Sequence, residues 1–214
     1  MLNSNIIKRT VLMCAGLFIM SMGIAFSIKA ALGISPVSSL PYVTSNISGM
    51  TVGETTIIIN CGFVLLQAVI LRKGFKIFNL LQIPVSVFFG LMIDVCGSIL
   101  SGFMPQTYWQ QWAMCIAGIV LLALGVTMEV TAKLVTAAGE GVVLAICRVL
   151  PVKFGNTKVA FDVTLVVMSI ALSAAVLGTI DGVGLGTVAS ALCVGFISKQ
   201  FSKPMKKIEQ KYLS

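Results

Sequence analysis

Long apolar runs separated by short polar segments dominate the chain. A helix needs roughly 20 apolar residues to cross the core of a bilayer. Runs near this length cover 10–31, 55–71, 77–100, 112–136, 159–178 and 185–202. The pattern therefore predicts six transmembrane helices. The first run follows Lys8 and Arg9, as a secretory signal would, but a segment in the middle of the chain repeats its pattern, so we interpret it as a span.

The composition agrees with this picture, because 57% of the 214 residues are hydrophobic and only 10% are charged. A soluble domain with so few polar residues would not cover its surface. The lipid bilayer is therefore the expected partner of most of the chain. Small residues on several helix faces permit close helix packing and are compatible with a homodimer.

The net charge of +8 reflects membrane topology rather than nucleic-acid binding. The loops 101–111 and 179–184 contain no Lys or Arg, so the positive-inside rule places them outside the membrane. Thirteen of the 15 basic residues lie on the opposite side. We therefore predict a multi-pass protein with both termini cytoplasmic.

The chain has no histidine, and its six cysteines stand singly in apolar runs without CxxC spacing. Neither a metal site nor a disulfide framework is indicated. The sequence shows no nucleophile beside a base. We therefore expect no metal, no cofactor and no enzymatic activity.

A shift of 102 residues aligns residues 15–71 with 117–173 without a gap. Identity is low, but small and apolar residues coincide, Asn60 aligns with Asp162, and Ser27 aligns with Glu129. Each half holds three spans, an odd number, so the second half enters the membrane from the opposite side. We predict an all-α membrane fold of two inverted three-helix repeats, 1–100 and 101–202, and a basic cytoplasmic tail, 203–214.

The link between the first two spans of each half is long and apolar. Ser35 suits an N-cap, Pro36 the first helical position, and Gly49 a C-terminal stop. We predict short link helices at about 36–48 and 139–150. Two interpretations stay open: re-entrant or broken helices lined by protein or a wet cavity, or amphipathic helices lying at the two interfaces.

Ionisable residues inside spans are costly and mark pathways or paired sites. Glu129, in the fourth predicted span, is the first candidate for substrate binding and for proton coupling. An intrahelical pair with Lys133 is its structural alternative. Glu140 lies between two glycines at the start of the second link helix, where it either faces a substrate or caps the helix.

Asp162 aligns with polar Asn60 and either lines a cavity or pairs with Lys158 one turn away. Asp94, in the third predicted span, is a pathway residue or a helix-packing group. The remaining acidic residues are interpreted as structural: Glu54, Asp181 and Glu209.

Five segments carry a resemblance to a known family: GIAFSIKAALGISPVSSLPY, TVGETTIIIN, LLQIPVSVFFGLMID, GEGVVLAI and KFGNTKVAFDVTLV. They resemble the YczE-like bacterial integral membrane proteins, a group near the YitT-type proteins, over about 20–202. The resemblance implies a bacterial plasma membrane and six spans. It assigns no catalytic or substrate residues.

These features favour a small secondary transporter or channel-like carrier for a small polar solute, cationic or proton-coupled, with a site between the inverted repeats. The expected substrate-binding residues are Glu129, Glu140, Asp162, Asn60, Ser35, Ser38 and Ser39. The alternative is a membrane scaffold that assists a partner enzyme or complex, with its polar residues serving helix packing.

Overall fold

The computed structural model describes residues 2–210, which contain eight α-helices and no β-strand. The helices are α1 Leu2–Ala30, α2 Pro36–Ser48, α3 Val52–Leu71, α4 Gln82–Ile99, α5 Tyr108–Ala132, α6 Ala138–Val149, α7 Phe154–Leu177 and α8 Leu185–Ile208. Two 3₁₀ turns, Arg72–Gly74 and Ile77–Leu81, join α3 to α4. Residues 211–214 of the predicted tail lie outside the described residues.

Five helical segments of the described chain are long and apolar enough to cross a membrane: Asn5–Ala30, Val52–Gly74, Ile77–Ile99, Tyr108–Ala132 and Phe154–Leu177. They coincide with the first five predicted spans. The sixth predicted span, 185–202, lies in α8, which is not among the five. This helix is long enough to cross, but its second half is polar and carries four lysines: Lys199, Lys203, Lys206 and Lys207.

Several helices begin or end at residues other than the ends of the apolar runs, because of local capping. The Thr51 hydroxyl accepts a hydrogen bond from the Glu54 backbone N–H, and the Glu54 carboxylate accepts one from the Thr51 N–H. Thr107 and Gln110 form the same capping box. Both boxes start a helix before the predicted 55 and 112. The predicted end at 136 is wrong, because Lys133 adopts a left-handed φ of 52° that ends α5 at Ala132.

The chain forms two compact units, each built from both halves of the sequence. The first unit comprises Met1–Ser35, Val95–Leu134 and Gly184–Ser214, and so contains α1, α5 and α8. The second unit comprises Pro36–Asp94 and Val135–Val183, and so contains α2, α3, α6, α7 and most of α4.

In the first unit, α1 and α5 cross closely at facing glycines. A Cβ added to Gly23 would lie 2.8 Å from the carbonyl oxygen of Gly118, and one added to Gly118 would lie 2.8 Å from that of Gly23. Gly16 and Gly125 make the same reciprocal contact. Since the earlier glycine of α1 meets the later glycine of α5, the two helices run antiparallel. Only residues without a side chain permit so close an approach.

In the second unit, α3 and α7 each pack against both short helices, α2 and α6. Phe63 of α3 and Phe161 of α7 meet edge to face with ring centroids 5.4 Å apart. The buried core around them consists of Phe63, Val64, Ala138, Val142 and Leu165. This packing fixes α6 between two long helices.

The short helices α2 and α6 occupy the two links and contain 13 and 12 residues. At about 1.5 Å per residue they extend roughly 20 Å, less than the bilayer core of about 30 Å. The expected stop at Gly49 is confirmed, because α2 ends at Ser48 and Gly49 follows with a φ of 74°. Its N–H bonds to the Ser45 carbonyl at 2.9 Å.

Candidate functional site

The structure divides the predicted site residues between the two units. The first unit holds Glu129 and Ser35, and the second holds Glu140, Asp162, Asn60, Ser38 and Ser39. The second unit therefore contains most of the predicted site, on helices that pack directly against one another.

Glu140 lies in the first turn of α6 with a half-buried side chain. Among the described residues, its carboxylate takes part in no hydrogen bond and no ion pair. Burial raises the pKa of the Glu140 carboxyl, Lys158 lowers it, and Asp162 raises it again. Within residues 2–210, the result is a carboxylate without a fixed partner, beside an ion pair that acts on its charge.

That ion pair joins Lys158 and Asp162, one turn apart on α7, at 2.6 Å. The two side chains are 26% and 24% exposed, so the pair is shielded without being sealed from water. The structure thus contains the ion pair that the sequence left as one alternative for Asp162. With Glu140 ionised, the three groups carry a net charge of −1.

A buried pair of amides, overlooked in the sequence, fixes the start of α6. Gln67 of α3 donates to the Gln82 side-chain oxygen at 2.8 Å and to the Ala138 carbonyl at 3.1 Å. Gln82 donates back to Gln67 at 3.2 Å. Gly141 leaves room for this pair, because a Cβ there would lie 2.6 Å from the Gln67 side-chain nitrogen. The sequence feature that indicates this pair is the presence of two glutamines inside apolar runs.

The contact of α6 with α3 has a counterpart between α2 and α7. The hydroxyls of Ser39 and Ser169 lie 2.9 Å apart. The residue 102 positions after Ser39 is Gly141, and the residue 102 positions before Ser169 is Gln67. Gly141 and Gln67 are the two residues that touch in the contact of α6 with α3. The same offset pairs two further sets of positions: Glu140 with Ser38, and Asp162 with Asn60. Ser38 and Asn60 are also half-buried.

Glu129 is buried in α5, with 5% of its surface exposed. The structural alternative for this residue was an ion pair with Lys133. Lys133 instead pairs with Glu209 at 2.6 Å, beyond the end of α5. Ser35 is half-buried and directly precedes the first residue of α2.

Three other acidic residues have structural partners. Asp94 accepts hydrogen bonds from the Thr51 hydroxyl at 2.6 Å and from the Gly53 N–H at 2.8 Å, so it holds the start of α3. Asp181 accepts one from the Asn46 amide at 2.7 Å, and Glu54 completes its capping box. Within the described residues, no group of three or more cysteine or carboxylate side chains lies close enough together to hold a metal ion.

An all-helical chain with five helices suited to crossing a bilayer, and with ionisable groups held among its helices, is a polytopic membrane protein. Residues 7–203 match the sequence profile of DUF6198, a family of unknown function. The chain belongs to this family. The chain is 30% identical over 193 residues to the uncharacterized membrane protein YczE of Bacillus subtilis (strain 168). The alignment covers 89% of this chain and 83% of YczE, and it confirms the resemblance to YczE-like proteins. No solved structure matches the chain.

Proposed function

We propose that the protein is a small secondary transporter, or channel-like carrier, for a small polar solute that is cationic or proton-coupled. The proposed substrate site lies in the second unit and consists of Glu140, Asp162, Asn60, Ser38 and Ser39. We also propose that the protein resides in the bacterial plasma membrane with both termini cytoplasmic.

The carboxylate of Glu140, which no described side chain pairs, carries this proposal. Holding a carboxylate away from water costs free energy unless a partner compensates it. Asp94, Asp162 and Asp181 all have such partners. A protein whose polar residues served only helix packing would pair Glu140 as well. A carboxylate left open instead suits a group that binds a cation or a proton and releases it.

The helix boundaries support the proposed inverted repeat. α1 ends at Ala30 and α5 at Ala132; α2 begins at Pro36 and α6 at Ala138; α3 begins at Val52 and α7 at Phe154. Each pair is 102 residues apart, which is the shift that aligns the two halves of the sequence.

The contacts within each unit support the same symmetry. In the first unit, the 102-residue offset turns the Gly16–Gly125 contact into the Gly23–Gly118 contact. Within the second unit, the same offset turns the Ser39–Ser169 contact into the Gly141–Gln67 contact. The antiparallel crossing of α1 and α5 agrees with an inverted relation between these two helices. Inverted repeats allow alternating access, because the two halves can exchange conformations.

Two further parts of the proposal concern α8 and α5. We propose that residues 185–202 of α8 form the sixth span, with Lys199 near its cytoplasmic end and the later lysines at the cytoplasmic surface, as the positive-inside rule favours. Glu129 stays a proposed second site for proton coupling, supported by its burial in α5.

The proposal is tested by uptake into liposomes that contain the purified protein, using a panel of labelled amines, amino acids, sugars and carboxylates. We expect at least one solute to enter, and we expect Glu140→Gln to reduce its uptake at least tenfold. The matched control is Glu54→Gln, which also removes one carboxylate but keeps the capping box, since glutamine serves at that position.

Uptake that is unchanged in Glu140→Gln would refute the proposed site. No uptake of any solute, together with a stoichiometric partner that co-purifies, would favour a scaffold.

A further inference from the structure

Glu140 and its two charged neighbours support a further inference, which rests on the proposed transport function. We propose that a proton and the ammonium group of a substrate bind to Glu140 in turn, so that the protein exchanges protons for organic cations.

The geometry leaves Glu140 in need of one positive charge. Lys158 is the nearby cation, but it is held by Asp162 at 2.6 Å and so does not neutralise Glu140. The three groups therefore carry −1 when Glu140 is ionised and zero when it is protonated. Either a proton or an ammonium group restores neutrality, and both would occupy the same carboxylate.

In the described part of the chain, the helices packed against α6 supply no charge to Glu140 other than Lys158 and Asp162. α3 presents Phe63 and Gln67 to the start of α6, and Val37 of α2 also lies beside Gly139. None of these side chains is ionisable. The charges that act on Glu140 are Lys158 and Asp162, both on α7. Protonation of Glu140 therefore changes the net charge of this group of residues from −1 to zero.

Proton binding is favoured by the surroundings of the carboxyl. Burial raises the pKa of Glu140 and Asp162 acts in the same direction, while Lys158 opposes them. Glu140 thus takes up a proton from water at a higher pH than an exposed glutamate does. Above that pKa the proton returns to water and the carboxylate is free to bind an ammonium group.

Proton release on cation binding provides the test. Purified protein in weakly buffered detergent solution, at a pH about one unit below the pKa of Glu140, receives methylammonium, choline or tetraethylammonium chloride, and a dye reports the pH. We expect about one proton released per cation bound by at least one of these probes. Sodium chloride at equal ionic strength gives the baseline. Glu140→Gln should lower the release at least tenfold, and Glu54→Gln should leave it unchanged.

Variants of Lys158 and Asp162 should shift the pH at which cation binding is lost. A purely structural role of these two residues would not produce such a shift. Lys158→Met removes the charge that lowers the pKa of Glu140, so cation binding should be lost at a higher pH than in the wild type. Asp162→Asn removes the charge that raises the pKa of Glu140, so the same loss should occur at a lower pH. Above that pH, cation binding should be weaker than in the wild type, because Lys158 is no longer held by Asp162 and can neutralise Glu140. Below the pKa, the apparent affinity should fall about tenfold per pH unit, because the binding-competent fraction falls by that factor.

Several outcomes would overturn this inference. They are binding of none of the three cations, binding without proton release, and release that persists in Glu140→Gln. Uptake that depends on Glu140 but is limited to anions or neutral solutes, or is insensitive to a pH gradient, would also overturn it while leaving the transport function in place. Absence of uptake for every solute would refute the transport function itself.

Discussion

At the scale of single residues, the buried amides of Gln67 and Gln82 link three helices of the second unit. Both side chains are nearly inaccessible, at 1% and 3% exposure. Each amide satisfies the other, and Gln67 also satisfies the Ala138 carbonyl at the start of α6. Because α6 carries Glu140 two residues after Ala138, this hydrogen-bond network ties the start of the helix that carries the carboxylate to α3.

Replacing one amide alone should be more harmful than replacing both. Gln67→Leu keeps the volume but leaves the Gln82 amide without its partner, at a cost of about 1–3 kcal/mol. In Gln67→Leu/Gln82→Leu the orphaned amide is gone, so the double variant should be more stable than the sum of the single changes predicts. Thermal unfolding in detergent, followed by tryptophan fluorescence, measures the three variants. Strictly additive losses would show that the two amides act independently.

The carboxylates were accessible to sequence reasoning, because a charge in an apolar run is conspicuous and costly. The same rule applied to amides would have found Gln67 and Gln82. The hydrogen-bond and ion-pair partners of these side chains could not be predicted from the sequence. Asp94 accepts a hydrogen bond at the start of α3, 41 residues away in sequence, and Lys133 pairs with Glu209. Such pairings depend on tertiary packing, which a local pattern does not encode.

At the scale of helices, the crossing of α1 and α5 depends on glycines that let the backbones touch. A Cβ on Gly118 would lie 2.5 Å from the Ser27 hydroxyl and 2.8 Å from the Gly23 carbonyl. The backbone cannot yield as a flexible side chain would. The two helices would have to separate to admit even one methyl group.

Gly118→Val should therefore destabilise the protein by about 1–3 kcal/mol through overpacking. Gly62→Val is the matched control, because Gly62 lies within a helix that also qualifies as a span and has open space where its Cβ would be. Thermal unfolding in the same detergent compares the two. Equal losses would show that valine lowers stability through the helix itself rather than through the crossing.

The positions of the helices followed from apolar runs, but their ends did not. Thr51 and Thr107 start their helices earlier than hydropathy alone indicates, since capping boxes recruit polar residues into the first turn. α8 shows the converse, because the helix continues through lysines that a hydropathy pattern excludes. Hydrogen bonding at the caps therefore sets where these helices begin, and hydrophobicity indicates which of them can cross a membrane.

At the scale of the molecule, the compact units do not follow the order of the repeat in the sequence. α2 and α3 come from the first half and α6 and α7 from the second, yet all four lie in one unit. The 102-residue shift was visible in the sequence because small residues coincide at fixed spacing. The packing of α2 and α3 against α6 and α7 could not be predicted from the sequence, because it depends on contacts between residues far apart in the chain.

Charge and apolar length together predict the membrane topology, which thiol labelling can check. In a variant with all six native cysteines replaced by alanine, Phe103→Cys and Ile180→Cys should react with an impermeant reagent in intact cells. Lys73→Cys, Lys153→Cys and Lys207→Cys should react only after permeabilisation, because the basic segments stay inside. Lys207→Cys decides the sixth span: if it reacts from outside, as Ile180→Cys does, α8 does not cross and the three-plus-three arrangement fails. Protection of Lys207→Cys would place the carboxyl-terminal end of the described chain on the same side as Lys73 and Lys153, as two inverted three-helix repeats require.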